Sequence, residues 1–299
     1  MKKLLVLVLI ITQFDTLACD ICGCANGSAF VGLTPRAGTQ FIGLRYRHRT
    51  YDSHLNSVLL QTRETYQTVE LWGRFYPVKK VQVMVFLPYN SNHQVLKNSG
   101  AESLKNGLGD AIILGHVNVF NTFMDTTNTS HIYQSLMIGG GVKLATGKFE
   151  YGYEDEINPN FQLGTGSTDF LLSAIHTIKV HDWGLNTEIG GRISTRSNDK
   201  YRFGNRINGS LTAFYSKNWG VFSIMPNAGV LMDYGFRDIK EGQRNSQTGG
   251  FAALANTGLE MYYSRFNVGF SYRLPVYQNL GEGELKSLPQ WGVNLTVNF

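Results

Sequence analysis

The feature that most limits what this chain can fold into is a two-residue rhythm repeated from Thr39 to the last residue. In Trp291–Phe299, Trp291, Val293, Leu295, Val297 and Phe299 fall on one face, and Gly292, Asn294, Thr296 and Asn298 on the other. Successive side chains of an extended strand point to opposite faces, so a period of two marks a sheet with one apolar and one polar surface. The pattern recurs. Ile42, Leu44 and Tyr46 oppose Gly43, Arg45, Arg47 and Arg49; Trp183, Leu185, Ile189 and Ile193 oppose Asn186, Glu188, Gly190, Arg192 and Arg196. Over Tyr201 to Tyr215, Phe203, Ile207, Leu211 and Tyr215 oppose Arg202, Arg206, Asn208, Ser210 and Thr212. Phe266, Val268, Phe270, Tyr272 and Leu274 oppose Asn267, Ser271 and Arg273. About twelve such strands follow one another with no long helix between them. The expected fold is all-β: a single antiparallel transmembrane β-barrel of about twelve strands, greasy outside and polar inside.

The start of the chain reads as an export signal. Lys2 and Lys3 precede the apolar run Leu4 to Ile11, and Thr16-Leu17-Ala18 offers a small-residue cleavage site. The run is too short to span a bilayer as a helix, which takes about twenty residues. The expected organisation is residues 1–18 as signal peptide, 19–38 as a cysteine-bearing periplasmic or plug segment, and 39–299 as the barrel. Loss of Lys2, Lys3 and Asp15 lowers the formal net charge from +5 to +4, too mild to point to nucleic acid. No RNP-type motif or basic helix is present either. Aromatic content of 12% and 33 glycines suit a barrel, where aromatics form interfacial girdles and glycine relieves crowding.

Connections alternate in length. Short turns are expected at Pro77–Lys80, Met124–Ser130, His181–Trp183 and Lys217–Trp219, and longer polar loops over Asp52–Glu64, Ser91–Asn106, Phe149–Gly164 and Arg237–Gly249. Short turns mark the periplasmic side, which then also holds both ends of the barrel. The loop acids Glu150, Glu154, Asp155 and Glu156 read as a solvated outer surface or as a cation-collecting mouth.

Three phrases carry a resemblance: Gly107-Leu-Gly-Asp110, then Gly139-Gly-Gly-Val-Lys-Leu-Ala-Thr-Gly-Lys148, then Gly164-Thr-Gly-Ser-Thr-Asp169. In this order they resemble the outer-membrane transporter family associated with meta-pathway phenol degradation. The terminal aromatic strand likewise resembles the closing strand of bacterial outer-membrane barrels. The resemblance implies an outer-membrane channel for a small molecule, with outer-membrane lipid around it. By themselves the glycines read as places where a strand bends or a backbone comes close. Gly164-Thr-Gly166 shapes a loop-to-strand transition; no helix follows to make it a phosphate loop.

All three cysteines lie in Cys19-Asp-Ile-Cys22-Gly-Cys24. The cluster resembles that of a subgroup of Bacteroidetes-type barrel proteins. Thiolates are soft ligands: three suit Cu(I), and zinc would add a fourth, for which Asp20 or a lumenal histidine is available. Two other readings stand beside the metal site. An oxidising periplasm favours a disulfide with one thiol left over, or Cys19 is the lipidated first residue of the mature chain.

The expected lumen holds Arg45, Arg47, Arg49, Arg74, Arg192, Arg196, Arg202, Arg206 and Arg273, with Lys143 and the acids Glu70, Asp110, Glu188 and Glu260. They read as an internal salt-bridge lattice, or as a basic track for an anionic solute. His116 and Asn118 share an inward face, yet no nucleophile motif surrounds any serine, and the chain is not expected to be an enzyme. His176 belongs to the apolar face; His48, His54, His93, His131 and His181 fall near strand ends or loops without ligand spacing. The function expected is passage of a small molecule or ion across the outer membrane, with Cys19, Cys22 and Cys24 capturing or sensing a soft metal. The alternative is a non-transporting barrel that anchors a periplasmic metal-handling or redox partner.

Overall fold

In the computed structural model, residues 39–124, 131–150, 159–197 and 200–299 are described. They form a closed antiparallel barrel of twelve strands. In chain order these are β1 (Phe41–Ser53), β2 (Thr62–Val78), β3 (Val81–Leu96), β4 in two segments (Glu102–Leu108 and Ile112–Asn121), β5 (Ile132–Lys143) and β6 (Asp169–Val180). They continue with β7 (Trp183–Ile193), β8 (Arg206–Tyr215), β9 (Phe222–Gly235), β10 (Gly250–Tyr263), β11 (Phe266–Leu280) and β12 in two segments (Leu285–Ser287 and Gln290–Asn298). Each strand pairs with the next, and β12 closes on β1 from Phe41↔Asn298 to His48↔Trp291. Closure leaves no edge, so every strand satisfies its backbone within the sheet.

The rhythm of the sequence is the geometry of this wall. Leu44, Leu71 and Leu87 lie side by side on β1, β2 and β3 and face outward, 52%, 41% and 45% exposed. Such a ring of exposed apolar side chains would be a liability in water and is at no cost in hydrocarbon. The protein is thereby placed in the bacterial outer membrane. Trp183 and Tyr215 touch on the outside near the short turns, and Tyr46 and Trp291 on the closing seam. No helix among the described residues is long and apolar enough to cross a membrane.

The turns at 79–80, 181–182 and 264–265 lie at the end that holds Thr39 and Phe299, and the long connections at the other. The expected alternation therefore holds, with three corrections. The polar stretch Ser91–Asn106 is mostly strand: β3 runs to Leu96 and pairs with β4 from Glu102, leaving a short turn. This hairpin stands beyond the apolar belt, where its outer face is free to be polar. The strand expected over Tyr201–Tyr215 begins only at Arg206. Tyr201–Arg202 instead joins Ile239–Lys240 and Gln243–Arg244 in a small sheet at the loop end. Phe203, expected to face lipid, is buried there against Tyr201 and Phe149.

Gly139 and Gly141 lie within unbroken pairing to β4 rather than at a bend; the register shift falls at Asn118/Phe120. A Cβ on either glycine would strike the β4 backbone, and would stand 2.8 Å from the His116 or Leu114 side chain. Close approach is the role these two glycines play.

Candidate functional site

The inward faces carry two kinds of surface. One is charged. Register sets Arg45 opposite Glu70 across β1 and β2, where Arg45 Nε donates to Glu70 Oε2 at 2.9 Å and Arg47 Nη2 to Oε1 at 2.9 Å. Arg192 of β7 faces Arg206 of β8; Arg206 pairs with Asp233 of β9, and Arg192 Nε stands 3.8 Å from Asp169. Glu188 is buried on the same inward face as Arg192. Arg49 and Arg273 also point inward, and Glu260 accepts from Asn267 at 2.9 Å.

The other surface is apolar. Phe41, Trp72, Met84, Phe86, Ile112 and Leu114 form one buried cluster with Leu171. Arginine caps it: Arg45 lies over Trp72 at 4.8 Å and Arg74 over Phe41 at 4.9 Å. Cation–π contact of this kind holds a guanidinium where water is scarce. Arg74 Nε also donates to the Thr39 carbonyl at 3.0 Å, fixing the entry of the chain into β1.

The densest polar cluster sits where the long β5–β6 loop meets the wall. Lys143, at the end of β5, is fully buried between two fully buried carboxylates, at 2.9 Å from Asp110 and 3.0 Å from Asp169. Its Nζ also donates to the Ser167 carbonyl at 3.1 Å and touches Thr165 Oγ1. Asp110 occupies the break between the two segments of β4. It accepts from Thr165 N at 2.9 Å, Thr165 Oγ1 at 2.7 Å and Gly147 N at 3.0 Å. Asp169 accepts from Ser167 Oγ at 2.9 Å and Thr195 N at 3.1 Å. These contacts draw both described ends of the loop inward. Farther along, Asn92 of β3 donates to the carbonyls of Phe161 and Gln162 at 3.1 Å, and Asn90 to that of Leu163 at 3.0 Å. The described part of the loop thus folds against the inner face of β3 and β4, on the same side of the barrel. Glycine is required where the chains touch: a Cβ on Gly164 would stand 2.6 Å from the Gly147 carbonyl oxygen, and Gly166 adopts φ +64°.

Of the residues expected to line the pore, Arg45, Arg47, Arg74, Asp110, Lys143, Glu188, Arg192 and Arg206 are inward and buried or half-buried. Arg196 and Arg202 are not in the lumen wall. β7 ends at Ile193, so Arg196 lies on the following loop, exposed, and Arg202 belongs to the small outer sheet. Asp169, Thr165, Ser167 and Asp233 were not singled out. Asp169 closes the third glycine phrase at an inward strand start, and that position was its one available signal. Cys19, Cys22, Cys24 and Asp20, together with Glu154, Asp155 and Glu156, lie outside the described residues. Glu150 is an exposed partner of Lys148 at 3.0 Å.

His116 Nε2 lies 2.6 Å from Ser173 Oγ on the neighbouring inward face. Its Nδ1 is buried with no partner among the described residues. One histidine position needs correcting: His48 is well inside β1, on its outward face, stacked on Trp291 at 5.4 Å. His93 is near the outer end of β3, 3.2 Å from Glu102. Among the described residues no three His, Cys, Asp or Glu side chains are placed to hold a metal.

The geometry has relatives among solved structures. An outer-membrane channel from Pseudomonas putida F1 superposes with a TM-score of 0.67 at 12% identity, over 89% of this chain and 97% of that one. The β domain of the Bordetella autotransporter BrkA superposes at 0.54, with 10% identity, over 88% and 100%. The likeness is one of fold. No protein-family model and no curated protein sequence matches the chain.

Proposed function

We propose that this barrel is an outer-membrane channel for a small solute, with the β5–β6 loop as its constriction. One observation carries the reading: the buried Asp110–Lys143–Asp169 cluster that fastens a loop against the inner face of a charged lumen. Desolvating three charges is costly unless they pair closely, and removing one partner leaves the others uncompensated. A loop held this way has one well-defined inward position, as a constriction needs. The three glycine phrases that resemble the phenol-degradation transporters each supply part of the cluster, which supports the same reading. Planar-bilayer recordings of the refolded barrel test it. Discrete conductance steps are expected; a barrel that carries no current and passes no small solute into vesicles would end the proposal.

A second reading has its own support. The Phe41–Trp72–Phe86 cluster and the arginines stacked on it pack together on the inner face of β1, β2 and β3. A non-transporting barrel that anchors a periplasmic partner needs no open route, and zero conductance would favour it.

The cysteine segment is assigned, in the same proposal, to capture of a soft metal at the periplasmic exit, Cu(I) on three thiolates or zinc with a fourth ligand. Disulfide pairing and lipidation of Cys19 are its rivals. Metal content and free-thiol count of protein with and without Cys19–Cys24 separate them. Unchanged copper and zinc on deletion would remove the metal role.

A further inference from the structure

Two histidines far apart in sequence stand side by side at the periplasmic rim. The turn His181–Asp182 joins β6 to β7, with Val180 and Trp183 paired at its base. β5 and β6 pair from Ile132↔Val180, and the ladder runs one step further, where His181 N donates to the His131 carbonyl at 3.2 Å. His131 and His181 are therefore direct cross-strand neighbours, close enough for their side chains to act together. Their rings stack, with centroids 4.9 Å apart and planes at 28°. Ile132 and Val180 face outward, so the alternation turns the pair toward the lumen side of the rim. We propose that the pair binds a divalent transition-metal ion, Cu(II) most tightly and Ni(II) or Zn(II) less so.

The donors support the choice. Imidazole suits copper, nickel and zinc, and the affinity of a nitrogen site for these ions peaks at Cu(II). Metal–nitrogen bonds of about 2.0–2.1 Å hold two nitrogens on one ion roughly 3 Å apart. Both histidines are exposed, so rotation about the side-chain bonds turns two ring nitrogens onto one ion while the backbone stays in place. That backbone is already fixed: the turn is tight, with His181 at φ +54°, and the bond from His181 N ties the two residues together. Once one imidazole holds the ion, the second binds intramolecularly and little ordering remains to be done.

The surroundings leave the rings available. Among the described residues no carboxylate pairs with either ring, and Asp182 is engaged by Lys217 Nζ at 3.4 Å. Two protein ligands leave the other coordination positions to water, the arrangement of an exchangeable ion rather than of a closed structural site. The pair also differs in kind from the cysteine segment, whose thiolates select Cu(I). The inference stands apart from the channel reading: a barrel that passes no solute would still bind the ion.

The test is Cu(II) titration of the full barrel in lipid nanodiscs, with Cys19, Cys22 and Cys24 replaced by serine so that no thiol binds or reduces the ion. Empty nanodiscs are the blank. One Cu(II) per barrel is expected, and electron spin-echo modulation should count two imidazoles on it. His131→Gln and His181→Asn, the latter chosen because asparagine tolerates a positive φ, should each weaken Cu(II) at least about tenfold and leave one imidazole on what still binds. Zn(II) should displace the Cu(II) only in excess. The imidazole count is made on unsubstituted histidines, so it stands even where a variant does not fold. No Cu(II) bound, a single imidazole on the bound ion, or undiminished affinity in either variant would overturn the site.

Discussion

Replacing Lys143 by Met tests the loop latch most directly. Lys143 Nζ is shared by Asp110 and Asp169 at 2.9 and 3.0 Å, and all three side chains are fully buried. Methionine keeps the length of the side chain and removes its charge and donors. Removing one partner of a buried ion pair costs about 3–5 kcal/mol, because the remaining charge is left without compensation. Asp110 keeps its bonds from Thr165 and Gly147, and Asp169 keeps Ser167 and Thr195, so the lower end of that range applies. The barrel wall is closed by strand pairing elsewhere, so the free energy falls on the loop. About 3 kcal/mol raises the released population roughly 100-fold. Phe161 is buried in the pinned loop and becomes a chymotrypsin site on release. Cleavage of a transiently opened segment follows its open population, so cutting after Phe161, mapped by mass spectrometry, should speed up roughly 100-fold. Adding Asp110→Asn and Asp169→Asn removes the stranded charges and should recover part of the protection. An unchanged cutting rate at Phe161, in a variant that still migrates as a folded barrel, would refute the claim that Lys143 holds the loop.

Other perturbations bear on different parts of the molecule. Glu70→Gln leaves Arg45 and Arg47 facing the lumen without their shared carboxylate, so the chloride-over-potassium preference read from the reversal potential should rise; an unchanged potential would remove these arginines from the ion path. Burial pushes the Asp238 carboxyl, in the outer loops, up to about 6, against hydrogen bonds from Tyr201 and Gly204 and the nearby charges of Arg192 and Arg206. A raised carboxyl pKa means the folded loops hold the proton that the unfolded chain releases, so loop stability is greatest below about pH 4 and falls as pH rises through 6. Protection around Tyr201, taken relative to the intrinsic exchange rate at each pH, should therefore fall between pH 4 and 7, and Asp238→Asn should flatten that dependence. Leu71→Arg puts a charge on the lipid face between Leu44 and Leu87 and should cost about 2–4 kcal/mol in urea unfolding from vesicles. A variant as stable as the parent would contradict the orientation of β2.

How much of this was legible in the sequence depended on whether one strand or several carried the information. The faces of β1, β7, β11 and β12 could be read one strand at a time, because alternation is a property of a single extended segment. Where a strand stops is not: Arg196 and Arg202 continue the alternation in number, yet one lies past the end of β7 and the other before the start of β8. A polar residue in a loop and a polar residue in a lumen look alike to a period-two pattern. Phe203 shows the converse, since the outer loops build an apolar core of their own with Tyr201 and Phe149.

The latch was written in the sequence in pieces. Asp110, Lys143 and Asp169 each close or sit inside a glycine phrase, but 33 residues separate the first two. Only the register that sets Ile112 against Lys143, and Lys143 against Asp169, joins them. The glycines and the charges are then parts of one device: glycine lets the loop backbone pass within contact of β4, and the ammonium buried there holds it in place. If that is so, enlarging Gly164 should release the loop as effectively as removing Lys143, because its Cβ would press on both the Gly147 carbonyl and Asp110. Gly164→Val should therefore expose Phe161 to chymotrypsin with every charge of the cluster still present. Full protection in that variant would mean that the ion pairs alone place the loop and the glycine phrases serve something else.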